Sequence, residues 1–382
     1  MSVDSPSTTN VPGWDDAEAQ RDWTPLPALD TDVSADVCVI GLGGSGLTAV
    51  GELLRMGKRV IGIDSGAIGG GAAGRNGGFL LAGTAGFHHD VVATMGRERA
   101  VATYRLTLAE MDRMTAETPD VIRRVGSLRL ATSAEEIEDC RRQLDAMRAD
   151  GLPAEWYEGP AGIGLHIPTD GGFQPLARCR QLARRAIAAG AMLYEHTPAL
   201  EIAATSVSTF RATIRCDVVI VAVDGRLTRL LPELAPRVRT ARLQMLATAP
   251  AFPVRWPQPC YARYGYDYWQ QLPDGRLVLG GYRDHHVHDE WTEADTPSDA
   301  IQSLLEEHVR TQLGLSTEIT HRWAASVSYT DDELPVFEQV RPGVWAIGAY
   351  SGTGNVVGAV CGRGVARAAF GERTEALELL GT

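Results

Sequence analysis

The residues Gly41-Leu-Gly43-Gly44-Ser45-Gly46 follow an apolar run at 37–40 and precede Leu47, Val50, Leu53 and Leu54, which recur at helical spacing. A G-x-G-x-x-G spacing at a strand-to-helix junction is suited to holding an adenine dinucleotide. The first glycine permits the tight turn, the second lets backbone approach a pyrophosphate, and the third lets the helix pack on the strand. Amides at the start of that helix lack carbonyl partners, and the helix dipole there favours negative charge. Asp64, eighteen residues after Gly46, closes the next apolar run with Ser65 beside it. A carboxylate in that place accepts hydrogen bonds from ribose hydroxyls.

NAD and FAD share such a turn, and a second glycine-rich run separates them. A nicotinamide dehydrogenase would enter its next helix directly. Here the chain stays irregular through "SGAIGGGAAGRNGGFLLAG", with six glycines between Ile68 and Phe79. Each missing Cβ leaves room for the middle of an extended ligand, which favours FAD. Near the C-terminus, Gly348-Ala-Tyr-Ser351-Gly352-Thr353-Gly354-Asn is another strand-to-helix turn. Its free N–H groups suit the negative charge of a reduced flavin ring.

The elements that must position these residues follow from patterning. A chain of 382 residues exceeds the length of one comfortable core, so two domains are expected. Residues 1–32, rich in Ser, Thr, Asp and Pro, read as an arm with Trp14 and Trp23 as its docking anchors. After the strand-turn-helix-strand at 37–63, helices are expected at 90–113, within 133–151 from a Ser133 cap with Glu136 three residues on, and within 175–191 with Pro175 in its first turn. Strands are expected near 192–195 and 216–223. From 261 to 282 the pattern becomes aromatic and alternating about a Pro-Asp-Gly turn at 273–275, which is antiparallel sheet. A helix near 301–313 follows, then a final strand, turn and small-residue helix. The fold class is therefore α/β, α+β overall. A parallel-sheet, Rossmann-like dinucleotide domain (33–95, 152–230 and 335–382) interleaves with an antiparallel substrate or cap domain (96–151 and 231–334).

Composition excludes several classes. The net charge is −12 and Lys58 is the only lysine, which argues against a nucleic-acid surface. Six dispersed cysteines without a C-x-x-C pair suggest neither a disulfide framework nor a zinc knuckle. No apolar leader or membrane-length run is present, so the chain reads as soluble and cytoplasmic.

Taken together, "DVCVIGLGGSGL", Asp64, "GAAGRNGGF" and "GAYSGTGN" resemble the D-amino acid oxidase and glycine oxidase family of FAD-dependent oxidoreductases. Within it they are most similar to the γ-glutamylputrescine oxidase branch, which shares the "GRNGG" run and an arm like "WDDAEAQRDWTPLPALD". The resemblance covers most of residues 14–370. It implies that Gly74, Arg75, Asn76, Gly77 and Gly78 pass beside the flavin, and that the turn from Gly348 to Gly354 supplies amides near the ribityl chain and pyrimidine end. It also implies an antiparallel sheet covering the isoalloxazine ring. No Cys or His lies in the "GRNGG" run, so the FAD is expected to be non-covalent.

The implied chemistry is oxidation of a C–N bond by hydride transfer to flavin N5. The resulting imine hydrolyses, and O2 or another electron acceptor reoxidises the flavin. Glycine-oxidase-like members carry a carboxylate-binding arginine in a W-A-G-L-R-P pattern. Here Trp323-Ala-Ala-Ser-Val327 puts valine there, so an amine or N-substituted amino compound gains over a simple α-amino acid. Substrate-contact candidates are Arg283, which reads equally as a surface partner of Asp284 or Asp289, and Tyr266, Tyr282 and Tyr329. Tyr268 and Trp269 are further wall candidates. Asp331, Asp332 and Glu333 read as a solvated turn. His285, His286 and His288 do not make a metal site: as a strand, only His286 and His288 would share a face. Two alternatives remain, a nicotinamide-dependent dehydrogenase and a flavin-binding protein without turnover.

Overall fold

The computed structural model describes residues 10–15 and 23–381. One sheet has six strands, in the order Met192–Tyr194, Val60–Ile63, Val37–Ile40, Val218–Val221, Val344–Gly348 and Val336–Arg341. The first five are parallel, and only the last runs against its neighbour. Val37–Ile40, Val60–Ile63 and Val218–Val221 are buried along their whole length, as expected for strands covered on both faces. The Gly44–Arg55 and Val357–Ala368 helices pack on one another, small residues of the second lying against the first. A Cβ on Gly362 would overlap the carbonyl oxygen of Ser45.

The second sheet has eight strands: Ile319–Thr330, Val238–Thr248, Leu277–Gly281, Asp267–Gln271, Cys260–Ala262, Ser127–Ala131, Gly162–Ile167 and Glu155–Gly159. All pairings are antiparallel except Cys260–Ala262 with Ser127–Ala131. Alternation sorts its side chains. Leu246, Trp269 and Leu279 join Ile301, Leu305 and Val309 of the helical segment behind the sheet. Met245, Ala247, Val278 and Trp323 face forward, with Trp14 and Leu176. The expected hairpin about Pro273-Asp274-Gly275 therefore forms, with Asp267–Gln271 and Leu277–Gly281 as its arms. Ser133 caps its helix by accepting the Glu136 amide at 3.2 Å, and Glu136 accepts the Thr132 amide in return at 2.7 Å.

Three expectations need correction. Residues 155–167, read with the dinucleotide segments, form two strands of the eight-stranded sheet, because Trp156 and Leu165 find their place through the long-range register to Arg129. The single helix expected at 90–113 is two, His88–Met95 and Arg97–Glu117, broken at Gly96, whose φ is 84°. The longer one, read with the cap, packs against Val357–Ala368 and Glu375–Leu380. Its buried face carries Thr103, Thr107 and Glu110, and Glu110 pairs with Arg363 at 2.8 Å. Polar residues on an inward face are invisible to hydrophobic periodicity. The arm is read in part: Trp14 is fully buried and Trp23 packs on the dinucleotide core. All six cysteines are buried and unbridged. No helix among the described residues is long and apolar enough to cross a membrane.

The glycine turn is sterically closed. Gly41 has φ 98°, and a Cβ on Gly46 would overlap the Gly41 carbonyl oxygen. Gly46→Ala should therefore lower stability by about 1–3 kcal/mol or more, read as a fall in the denaturant midpoint with unchanged m-value.

Candidate active site

The dinucleotide end is built from the first sheet. The Gly44–Arg55 helix has neither a side-chain cap nor an acid in its first turn. The amides of Gly44, Ser45 and Gly46 have no partner among the described residues. Asp64 accepts the Leu42 amide at 2.8 Å through Oδ2 and the Gly66 amide at 2.9 Å through Oδ1, which fixes the turn. Burial pushes its carboxyl up, and those two amides oppose the shift. Each oxygen keeps acceptor capacity for a ribose hydroxyl. Uncapped amides beside a half-satisfied carboxylate fit the phosphates and ribose of FAD. Ser65 is exposed. Gly74 and Gly348 have a packing role: a Cβ on Gly74 would overlap the Gly69 carbonyl, and one on Gly348 would sit 2.7 Å from the Val223 oxygen.

A cavity of about 570 Å³ opens between the two sheets, lined on one side by Arg75, Asn76, Gly77, Ser351, Gly352 and Thr353. The "GRNGG" run is held by its carbonyls. Trp323 Nε1 donates to Arg75 O at 2.7 Å, Trp14 Nε1 to Asn76 O at 2.7 Å, and Gln270 Nε2 to Gly77 O at 2.5 Å and Gly78 O at 3.2 Å. The Arg75 side chain does not stay free for a ligand. Its Nε donates to Ala324 O and its Nη2 to Asn10 O and Oδ1. Asn76 Oδ1 accepts the Gly78 amide and the Asn355 side chain, at 2.8 and 3.1 Å.

The opposite turn is held by Asp224, which accepts the amides of Tyr350 at 3.3 Å and Ser328 at 3.1 Å. Burial pushes the Asp224 carboxyl up to about 6, opposed by the amides of Ser328, Tyr350 and Ala349. Ala349, Ser351 and Gly352 all have positive φ. Not every amide of this turn is available. Ser351 N donates to Ser328 O and Thr353 N to Tyr350 O, whereas Gly352 and Gly354 have no amide partner among the described residues.

The sheet side of the cavity carries Leu243, Met245, Ala325, Val327, Tyr268, Tyr329, Tyr266 and Arg283. Arg283 has no ion pair among the described residues: Asp284 pairs with Arg263 at 2.9 Å and Asp289 lies 3.6 Å from His286. Instead its guanidinium lies 4.9 Å from the Tyr329 ring centroid, 5.1 Å from Trp291 and 5.8 Å from Tyr266. The surface-pair reading of Arg283 therefore fails. Tyr282 and Trp269 do not line the cavity. Tyr282, with φ 64°, turns its hydroxyl to His308 Nδ1 at 2.8 Å, and Trp269 packs behind the sheet. Residues 283–290 are helical turns, so the strand reading of the histidines is wrong as well. Glu333 reaches the cavity rim, while Asp332 accepts the Leu334 amide.

Trp291, Asp170, Tyr104, Tyr261 and Arg129 were missed. Arg129, Tyr261 and Tyr268 lie side by side across three strands, and the Tyr268 ring covers Gly280 on a fourth. A cross-strand row becomes readable only once the register is known.

Comparison with known proteins accords with this geometry. A family model described as "FAD dependent oxidoreductase" (DAO) matches residues 36–368. A probable oxidoreductase OrdL of Rhizobium meliloti (strain 1021) is 31% identical over 97% of this chain and 91% of its own length. A gamma-glutamylputrescine oxidoreductase of Escherichia coli (strain K12) is 25% identical over 93% of this chain and 88% of its own. The crystal structure of glycine oxidase from Geobacillus kaustophilus superposes with a TM-score of 0.74 at 20% identity, covering 90% of this chain and 96% of that one.

Asp170 lies at the inner wall of the cavity, accepting Ser127 Oγ at 2.7 Å and the Ala82 amide at 3.1 Å. Burial pushes its carboxyl up to about 7, against the opposing pull of Ser127, Ala82, Arg129 and Arg124. A carboxyl raised by folding holds its proton more tightly in the folded chain. Its contribution is whole below the ordinary value of 3.8 and is lost as pH rises through about 7. In Asp170→Asn the amide still accepts from Ala82 and can donate to Ser127. The melting temperature of this variant relative to wild type should climb between pH 4 and 8, by the equivalent of at most about 4 kcal/mol. A constant difference across that range would contradict the assignment.

Proposed function

The chain belongs to the family of FAD-dependent oxidoreductases, and we propose that it oxidises a C–N bond of an amine or N-substituted amino compound bearing an anionic group. Arg283 carries this reading. It is a guanidinium on the cavity wall, boxed by aromatic rings and without a carboxylate partner among the described residues. FAD, when bound, accepts the hydride equivalent, leaving an imine that water hydrolyses to a carbonyl compound and an amine or ammonia, and O2 or another acceptor takes the electrons.

The side chains do the rest. Arg283 presents a planar fork that can pair with both oxygens of a carboxylate, and the rings of Tyr266, Trp291 and Tyr329 stand around it. Val327 leaves its own part of the wall uncharged, next to Ala325 and Leu243. The anion is thus drawn to the Arg283 side, and the reacting carbon lies over an apolar floor that excludes water. An amine bound neutral needs no protein base. Lys58 sits 3.8 Å over the Phe370 ring and does not line the cavity, so no lysine assists the reaction with O2.

Anaerobic titration of the purified flavoprotein tests the reading. Amines carrying a carboxylate, among them γ-glutamyl polyamines and N-methyl amino acids, should bleach the flavin. Arg283→Leu should raise KM for them about 10- to 100-fold with little change in kcat, and leave uncharged-tail amines unaffected. No bleaching by either class would sink the oxidation. Bleaching that ignores Arg283 would sink the anion site alone.

A further inference from the structure

The glycine turn has a charged neighbour that G-x-G-x-x-G does not require. Arg178 is the fourth residue of the Pro175–Ala188 helix and is 2% exposed. Its Nη1 lies 4.0 Å from where a Cβ on Gly44 would stand. Its Nε and Nη2 have no hydrogen-bond partner among the described residues. Glu117 Oε2 stands 3.8 Å from Nη2, outside hydrogen-bonding distance, and that oxygen too lacks a partner. The other oxygen, Oε1, is held by Arg55 at 2.7 Å and Arg363 at 2.9 Å, so the Glu117 charge is already shared.

Three features make this a costly place for a cation. The guanidinium is out of water, which pushes it below its ordinary value. Its Nε and Nη2 have no hydrogen-bond partner among the described residues, and it sits in the first turn of its own helix, where the dipole is positive. An anion next to Gly44 would relieve all three. The same place offers the unpaired amides of Gly44, Ser45 and Gly46 and no first-turn acid to repel negative charge.

We propose that Arg178 is a phosphate-binding residue of the dinucleotide site, supplying a full positive charge beside the turn amides. The assignment depends on FAD binding and not on the substrate proposed above. The chain without cofactor carries a buried, poorly paired cation at the turn, and the dinucleotide phosphates complete it.

The test uses the full chain stripped of FAD and titrated calorimetrically with ADP, with adenosine, and with FAD. Arg178→Met should weaken ADP and FAD by at least tenfold, leave adenosine within twofold, and leave the melting temperature of the stripped chain unchanged or raised. Glu117→Gln should not weaken ADP. If Arg178 serves only as a partner of Glu117, Arg178→Met will lower the melting temperature of the stripped chain and leave the ADP-to-adenosine affinity ratio as in wild type, which overturns the proposal. Should the methionine variant fail to fold, Arg178→Gln and Arg178→Lys are read by the same ratio. An unchanged ratio in both is equally fatal.

Discussion

The site depends on one constraint: four consecutive carbonyls, from Arg75 to Gly78, must be satisfied away from the cavity. Buried carbonyls without donors cost more than most packing gains can offset. The donors come from separate parts of the chain, Trp14 in the arm, Trp323 and Gln270 in the eight-stranded sheet, and the Phe173 amide, which bonds Gly78 O at 2.8 Å. Satisfied in this way, the run cannot roll over. The amides of Asn76 and Gly77 have no partner among the described residues, and both residues line the cavity. The glycines then serve the protein as much as the ligand. A Cβ on Gly77 would lie 3.0 Å from the Phe79 ring and 3.1 Å from that of Tyr268, and one on Gly78 would overlap the Phe173 oxygen.

That constraint also explains why the two sheets form one site. Trp323 and Gln270 sit on the forward face of the antiparallel sheet, and their indole and amide donors reach the loop that follows the second parallel strand. The same forward face presents Met245, Val327, Tyr268 and Tyr329 to the cavity. One register thus sets both the position of the loop and the shape of the cavity wall. A slip of one residue would turn every one of these side chains to the back of the sheet.

Local signals were legible in the sequence and long-range ones were not. The turn at Gly41 to Gly46 with Asp64, the Ser133 cap and the hairpin at Asp274-Gly275 each lie within a few residues of chain, and steric or hydrogen-bonding rules fix them. Tyr282 departs from the sequence pattern because it takes a left-handed backbone at the end of its strand, which breaks the alternation that would keep it beside Tyr268. Residues 155–167 were assigned to the wrong sheet because a short alternating strand carries no record of its partner. Arg283 was ambiguous for a related reason. Two acids follow it in sequence, yet Asp284 pairs with Arg263, twenty-one residues away from it, and the nearer guanidinium has no ion pair among the described residues.

The carboxylates of Asp64, Asp170, Asp224 and Glu195 each accept at least one backbone amide, Glu195 taking those of Leu26 and Ile68 at 2.6 Å. These acids fasten turns, and each oxygen of Asp64 still keeps acceptor capacity. Arg178 and Arg283 are different: neither has a hydrogen-bonded acceptor among the described residues, one beside the glycine turn and the other on the substrate wall. In a chain of net charge −12, the lack of an acceptor for these two among the described residues is not a shortage of acids. Each is held apart from them by what surrounds it, Arg283 by three rings and Arg178 by the competition of Arg55 and Arg363 for Glu117. Under the two proposals made above, the phosphates of the dinucleotide would complete one of these positions and the charged end of a substrate the other.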